Sequence, residues 1–211
     1  GDEVVVPSRS FVASASVFAR LGLKVVFADV CLDSGNVNIE TLSDAISPKT
    51  KVVVVVHLGG WPADMTAIKG FVKASNAFLI EDCSQAHGAI IDGFPVGSFG
   101  DVSTWSFCQD KIISTGGEGG IVATNDRAIF ESMWSFKDHG KDVCAPRSIS
   151  AIPNKFVYRH VRFGTNYRMM EMQAAIGRIQ LERLEMTLAG RYERAKQLHV
   201  FLSELDLMYP N

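Results

Sequence analysis

The chain has 211 residues, 47% apolar and 21% charged, which is the composition of a folded globular protein and not of a disordered one. Its 21 Lys+Arg against 23 Asp+Glu leave a net charge of −2, so the basic excess of a nucleic-acid binder or a membrane-surface protein is missing. No apolar run approaches the roughly 20 residues of a membrane span, and no basic segment followed by an apolar core opens the chain; the expectation is a cytoplasmic protein with neither nucleic acid nor membrane as partner.

Short β-rich runs alternate with helical patterns over the first 137 residues, which predicts an α/β fold, a mostly parallel central sheet sandwiched by helices. Val4 to Val6 reads as a strand. Phe11 to Leu21 reads as a helix opened by serines, with Phe11, Ala15, Phe18 and Ala19 on its buried side. Val25 to Phe27 follows as a strand, and Asn38 with Glu40 starts a helix through Ile46. The run KVVVVVH (51–57) is apolar on both faces and belongs in the sheet centre. Asp64 caps a helix through Ala74 that buries Met65, Ile68, Phe71 and Val72, and AFLIED (77–82) is the next buried strand.

Strands are expected at Asp101 to Phe107 and Gly120 to Ala123, then a helix from Asp126 to Phe136. Residues 138–165 lose periodicity and read as a long loop; Met169 to about Leu205 reads as helix with a break near Gly190. Cys31, Cys83, Cys108 and Cys144 stand singly, without a C-x-x-C pair, and read as reduced thiols. The chain opens GDEVVVPS, without an initiator Met and straight into a strand, so a fragment of a longer protein is expected.

Parallel sheets gather ligand chemistry at the carboxyl ends of their strands, and two polar clusters fall there: EDCSQAHG (81–88) and SFCQDKIISTGGEGG (106–120). Lys111 stands just before TGGEGG, where four glycines in six positions imply a close backbone approach by a cofactor or another strand. Asp82 closes a buried strand and needs a cation, either a nearby Arg or Lys or a protonated heterocyclic nitrogen. Gln85 is within reach of the same ligand. His57 and His87 flank the region but lack the i, i+4 spacing of a helical metal pair, so no metal is expected. No G-x-S-x-G elbow and no GxGxxG after a strand appear, which argues against a Ser-His-Asp hydrolase and an NAD-dependent dehydrogenase.

In order along the chain, VPSRSFVASASVFARLGLKVVFADV, VVVVHLGGWPADM, EDCSQAHGA, VGSFGDVSTWSFCQDKIISTGGEGG and GTNYRMMEMQAAIGRIQLERL resemble the DegT/StrS-type sugar aminotransferases, pyridoxal phosphate (PLP) enzymes of fold type I. The resemblance covers most of the chain. It implies that Lys111 is the lysine that holds PLP as a Schiff base and moves the proton in transamination. By the same match Asp82 pairs with the pyridinium nitrogen, Gln85 lies near the 3-hydroxyl, Ser106 binds the phosphate and Phe11 stacks on the ring. Asn166 matches an asparagine that reaches the phosphate of the other subunit, which implies a homodimer with shared sites. The implied substrates are a nucleotide-linked keto sugar and an amino-acid donor, glutamate or glutamine.

The same pattern implies a PLP-binding large domain over 1–165 and an interdomain helix leading into a smaller domain over 166–211. Relatives carry a small-residue loop upstream of GDE that binds the phosphate, so a chain lacking it is expected to hold PLP weakly. Sugar dehydratases of the same fold are the nearest rival; those place histidine where this chain has Lys111. A PLP-binding regulatory homologue without turnover and a plain α/β binding domain are the others. Sugar contacts are sought first in residues 141–162, where Arg147, Lys155, Arg159, His160 and Arg162 form a basic cluster suited to a diphosphate or a solvated loop.

Overall fold

The computed structural model describes residues 1–144 and 159–203. The first 123 residues build β1 (Glu3–Pro7), α1 (Ala13–Arg20), β2 (Lys24–Ala28), α2 (Ile39–Ala45), β3 (Thr50–Val56), α3 (Met65–Ala74) and β4 (Phe78–Asp82). These are followed by a two-stranded ribbon of β5 (Ile90–Ile91) and β6 (Phe94–Pro95), then by β7 (Val102–Ser106) and β8 (Gly120–Ala123). The main sheet has the order β2-β1-β3-β4-β7-β8, parallel except for the antiparallel β7–β8 pair. The valine run therefore sits inside the sheet, between β1 and β4, as its two-sided apolarity requires.

Alternation along the strands feeds two cores. Val5, Val53, Val55 and Leu79 pack with Leu42 of α2 and Met65, Ile68 and Val72 of α3. Val4, Val6, Val54 and Val56 pack on the opposite face with Ala15 and Phe18 of α1. Helix starts follow their sequence signals. Asn38 and Thr41 exchange side-chain and backbone bonds of 2.9 and 3.1 Å, and Asp64 accepts from the Ala67 N–H at 3.1 Å.

Two expectations are corrected and one element is new. α1 begins at Ala13 with Val12, not a serine, as its cap, and Phe11 and Ala19 are exposed while Ser14 is its one buried residue. Ser14 turns inward because its hydroxyl has a partner on β4. The C-terminal helix divides into α5 (Glu171–Glu182) and α6 (Leu184–Ser203) at Arg183 and not at Gly190. There the Arg183 N–H bonds the Gln180 carbonyl at 3.2 Å, the tight i to i+3 closure of a helix end. The ribbon β5–β6 was not expected; its Asp92–Gly93 turn, both residues at positive φ, is the hairpin signal.

The chain divides into two compact units, Gly1–Ala123 with Met172–Asn211, and Thr124–Glu171. This grouping differs from the expected boundary at residue 165. α5 belongs with the sheet because it lies on the glycine loop: a Cβ on Gly116 would meet Ile176 at 2.9 Å, and Gln173 donates to the Glu118 carbonyl at 2.6 Å. A Cβ on Gly120 would likewise meet the Trp105 carbonyl of β7 at 2.8 Å. At these two positions the close approach that the glycines permit is to a helix and a neighbouring strand.

The second unit carries α4 (Arg127–Lys137), capped by Asp126, which accepts from the Ile129 N–H at 2.9 Å. Residues after it pair with the returning segment through Asp138–Asn166 and Lys141–His160 bridges, so the described part of the expected loop is partly ordered by pairing. Arg147 and Lys155 of the basic cluster lie outside the described residues. Arg159 pairs with Asp142 at 3.5 Å, His160 Nδ1 meets the His139 carbonyl at 2.8 Å, and Arg162 donates to Ser132 at 2.5 Å. Among the described residues no helix is long and apolar enough to cross a membrane.

Candidate functional site

Two consecutive carboxylates end β4, and strand alternation gives them different work. Val55 pairs with Glu81 and Val56 with Asp82, so Glu81 shares the α3 face and Asp82 the α1 face. Glu81 is fully buried. Its Oε1 accepts from the Phe99 and Gly100 N–H groups at 2.7 and 2.5 Å, and its Oε2 from the Gly97 N–H at 2.7 Å and His57 Nε2 at 3.2 Å. His57 Nδ1 faces the Ala63 N–H at 3.2 Å and must accept, so the ring proton sits on Nε2 and is donated to Glu81. Burial pushes the Glu81 carboxyl up, but His57 and the three backbone donors outweigh it and hold the group below its usual range.

His57, Glu81 and Cys83 lie within 4.8 Å of one another and are all buried, a trio of metal-ligand types. The Glu81 oxygens and His57 Nδ1 already accept hydrogen bonds from the protein. The Cys83 thiol is pushed far up by burial and by the charges of Glu81 and Asp82, which keeps it protonated. Glu81 fastens residues 97–100 to the end of β4, and His57 holds Glu81 in place.

Asp82 is only partly buried, and both its oxygens take neutral donors: Ser14 Oγ reaches Oδ2 at 3.0 Å and the Ser84 N–H reaches Oδ1 at 3.1 Å. Of the two cations expected for it, the Arg or Lys is not there: among the described residues no ion pair includes Asp82. The carboxylate keeps acceptor positions open at the edge of the sheet. Asp82 pairs with Thr104 of β7, which places Thr104 and, two residues on, Ser106 on the same face. Ser106 Oγ accepts from the Cys108 N–H at 3.2 Å, leaving its own proton to donate.

Lys111 follows in a turn closed by its N–H on the Cys108 carbonyl at 3.1 Å. Its side chain is 17% exposed, and Nζ lies 3.4 Å from Asp110. Hydrogen bonds from Cys108, from its own backbone and from Lys111 hold the Asp110 carboxyl below the usual range. Gln85 accepts from the Gly59 N–H through Oε1 at 2.6 Å, which turns its amide NH2 to other partners. Phe11 is 69% exposed on the turn whose carbonyl receives the Ser14 N–H at 3.0 Å. Asn166 belongs to the second unit, where its Oδ1 accepts from the Arg168 N–H at 3.3 Å.

Ser14 is not among the residues expected at the site, and His87 was weighed only as a metal ligand. The signal for Ser14 was available: a serine amid Ala15 and Phe18 on the face that packs under Val54 and Val56. His87 is 5% exposed, with the Ser106 backbone as the polar group that opposes its loss of charge. Burial lowers its pKa, and the charge of Lys111 acts in the same direction. A cleft of about 1070 Å³ runs beside Gln85 and His87, between the turns at 59–60 and 85–89 and the α6 residues from Met186 to Ala195, with Arg191 and Arg194 on its wall.

The donor and acceptor set fits PLP by chemistry. Asp82 offers an acceptor to a ring N–H, Gln85 an amide donor to a ring oxygen, Ser106 a hydroxyl to a phosphate, Lys111 an amine to an aldehyde, and Phe11 an open aromatic face.

The family model described as the DegT/DnrJ/EryC1/StrS aminotransferase family matches residues 1–210. GDP-perosamine synthase of Escherichia coli O157:H7 is 37% identical over 195 residues, 92% of this chain and 50% of that protein. The X-ray structure of an aminotransferase from Psychrobacter cryohalolentis superposes with a TM-score of 0.83 at 49% identity, covering 87% of this chain and 46% of its own. An E. coli GDP-4-keto-6-deoxy-D-mannose-3-dehydratase with bound hydrated PLP gives 0.82 at 29% identity, covering 93% and 52%. The chain spans about half the length of the curated relatives it matches. The mostly parallel sheet flanked by helices is the fold type I architecture of these structures.

Proposed function

Because the chain belongs to the DegT/DnrJ/EryC1/StrS aminotransferase family, we propose that it serves a PLP-dependent transfer of an amino group from glutamate or glutamine to a nucleotide-linked keto sugar. The observation that carries this reading is Asp82: a carboxylate at the carboxyl edge of a parallel sheet whose two oxygens meet only neutral donors. Such a group suits a cationic ring nitrogen supplied by a ligand.

When bound, PLP supplies an electron sink that lets the Cα–H bond of an amino acid break. Asp82 holds the proton on the ring nitrogen and so keeps that sink strong. Lys111 Nζ is the amine that would hold the cofactor's aldehyde and, when free, would accept the proton from the donor's Cα. Its side chain, 17% exposed, is largely shielded from water. Gln85 orients the ring through its amide, Ser106 holds phosphate, and Phe11 covers one ring face. The cleft beside Gln85 and His87, with Arg191 and Arg194, has the size and charge for an anionic sugar substrate.

In the same reading the protein is a cytoplasmic homodimer in which Asn166 reaches the phosphate of the other copy. Incubation with PLP, glutamate or glutamine and GDP- or dTDP-linked 4-keto sugars tests it. An amino sugar nucleotide as product supports transamination. A deoxygenated sugar would support the dehydratase of the same fold instead, and no turnover with bound PLP would support a regulatory homologue.

A further inference from the structure

We propose that Ser14 is a positioning residue for Asp82, with Ser10 behind it, so that a relay of two hydroxyls fixes the direction in which the carboxylate meets the cofactor ring. This rests on the reading of Asp82 as the partner of the ring nitrogen.

Ser14 is out of place as an ordinary helix residue. It lies in the first turn of α1, yet Val12 is the cap and no side chain caps the helix. A serine there gains nothing from capping, and a buried hydroxyl without a partner is costly. Ser14 is nonetheless the one buried residue of α1, and its Oγ crosses to Asp82 Oδ2 at 3.0 Å, 68 positions along the chain.

Proton counting fixes the direction of the relay. An ionised carboxylate only accepts, so Ser14 must spend its single proton on Asp82. The 2.8 Å contact between Ser10 Oγ and Ser14 Oγ then runs from Ser10 as donor to Ser14 as acceptor. Ser10 thereby restrains the rotor of Ser14, and Ser14 restrains the carboxylate. With the Ser84 N–H on Oδ1, each oxygen of Asp82 has one donor, and the carboxylate cannot turn about its Cβ–Cγ bond without breaking one. Its remaining lone pairs point in set directions on the α1 face, where Phe11 stands open three residues before Ser14.

The experiment uses the full chain and measures PLP binding by absorbance titration, together with the 15N resonance of ring-labelled PLP. In Ser14→Ala, PLP affinity falls roughly tenfold, the loss expected for one hydrogen bond to a charged group. The 15N resonance moves toward the unprotonated range. Ser14→Thr, which keeps the hydroxyl, restores both, and in an Asp82→Asn background Ser14→Ala changes nothing further. Ser10→Ala removes only the orienting donor and costs about threefold in affinity; it serves as the second variant should Ser14→Ala not fold. Wild-type affinity and resonance in Ser14→Ala, or in Ser10→Ala where that is the variant measured, overturn the relay while leaving Asp82 its role, provided Asp82→Asn changes both. If Asp82→Asn also leaves both unchanged, the reading of Asp82 fails and the relay with it.

Discussion

Replacing Glu81 by Gln keeps the shape of the side chain and removes its charge, and the consequence can be worked from four contacts. The glutamine oxygen can replace Oε1 and keep the Phe99 and Gly100 N–H groups. The amide NH2 then faces the Gly97 N–H and the proton on His57 Nε2, donors that met Oε2 in the native protein. Moving the His57 proton to Nδ1 relieves one conflict but sets it against the Ala63 N–H. Two charge-assisted bonds are lost in either arrangement, at about 1.5 to 3 kcal/mol each, so Glu81→Gln should destabilise the fold by about 3 to 6 kcal/mol. That is a large share of a typical total of about 5 to 15 kcal/mol. Urea unfolding at pH 7, followed by circular dichroism, measures it.

The pH dependence gives a second reading of the same group. The folded Glu81 carboxyl titrates below its unfolded value, so its stabilisation is complete above about pH 4.5 and is lost as pH falls through the folded value. The acid limb of the wild-type stability curve should therefore be steeper than that of Glu81→Gln. A loss under about 1 kcal/mol at neutral pH, or identical acid limbs, would refute the assignment of Glu81 as the anchor of residues 97–100.

Lys111→Ala should retain the wild-type melting temperature and lose amino transfer by at least a thousandfold, read by coupled assay and thermal melt, because the amine serves chemistry and not packing. Asp82→Asn should still take up PLP on Lys111 yet lose most of its turnover; near wild-type kcat would make Asp82 a structural carboxylate only. Gly140→Ala should loosen the segment around Arg162, because Gly140 sits at φ 79° and a Cβ there would overlap the Arg162 carbonyl. Faster hydrogen exchange confined to residues 159–168 is the expected result.

The strands and most helices were legible because their signals are local: the valine run, the Asn38, Asp64 and Asp126 caps and the two-residue alternation all lie within a few positions. The order of the strands and the division of labour between Glu81 and Asp82 were less so. Both follow from register, since only the pairing of Val55 with Glu81 and of Val56 with Asp82 assigns each acid to a face. Alternation alone says that the two acids point apart, but not which of them meets a buried histidine. The protein donor to Asp82 was hidden for the same reason: it is a serine 68 residues away, and a serine beside Ala15 and Phe18 signals a buried hydroxyl without naming its partner. The glycine loop showed a need for close approach, while the partners, Ile176 and Trp105, come from a distant helix and a neighbouring strand.

The most direct test of the account is to treat the chain with PLP, reduce it with borohydride, digest it and map the modified peptide by mass spectrometry. A pyridoxyl adduct is expected on Lys111 and on no other lysine, with an absorbance change on PLP addition that disappears in Lys111→Ala. An adduct found mainly on Lys69, Lys73 or Lys137, or one that persists unchanged in Lys111→Ala, would contradict it.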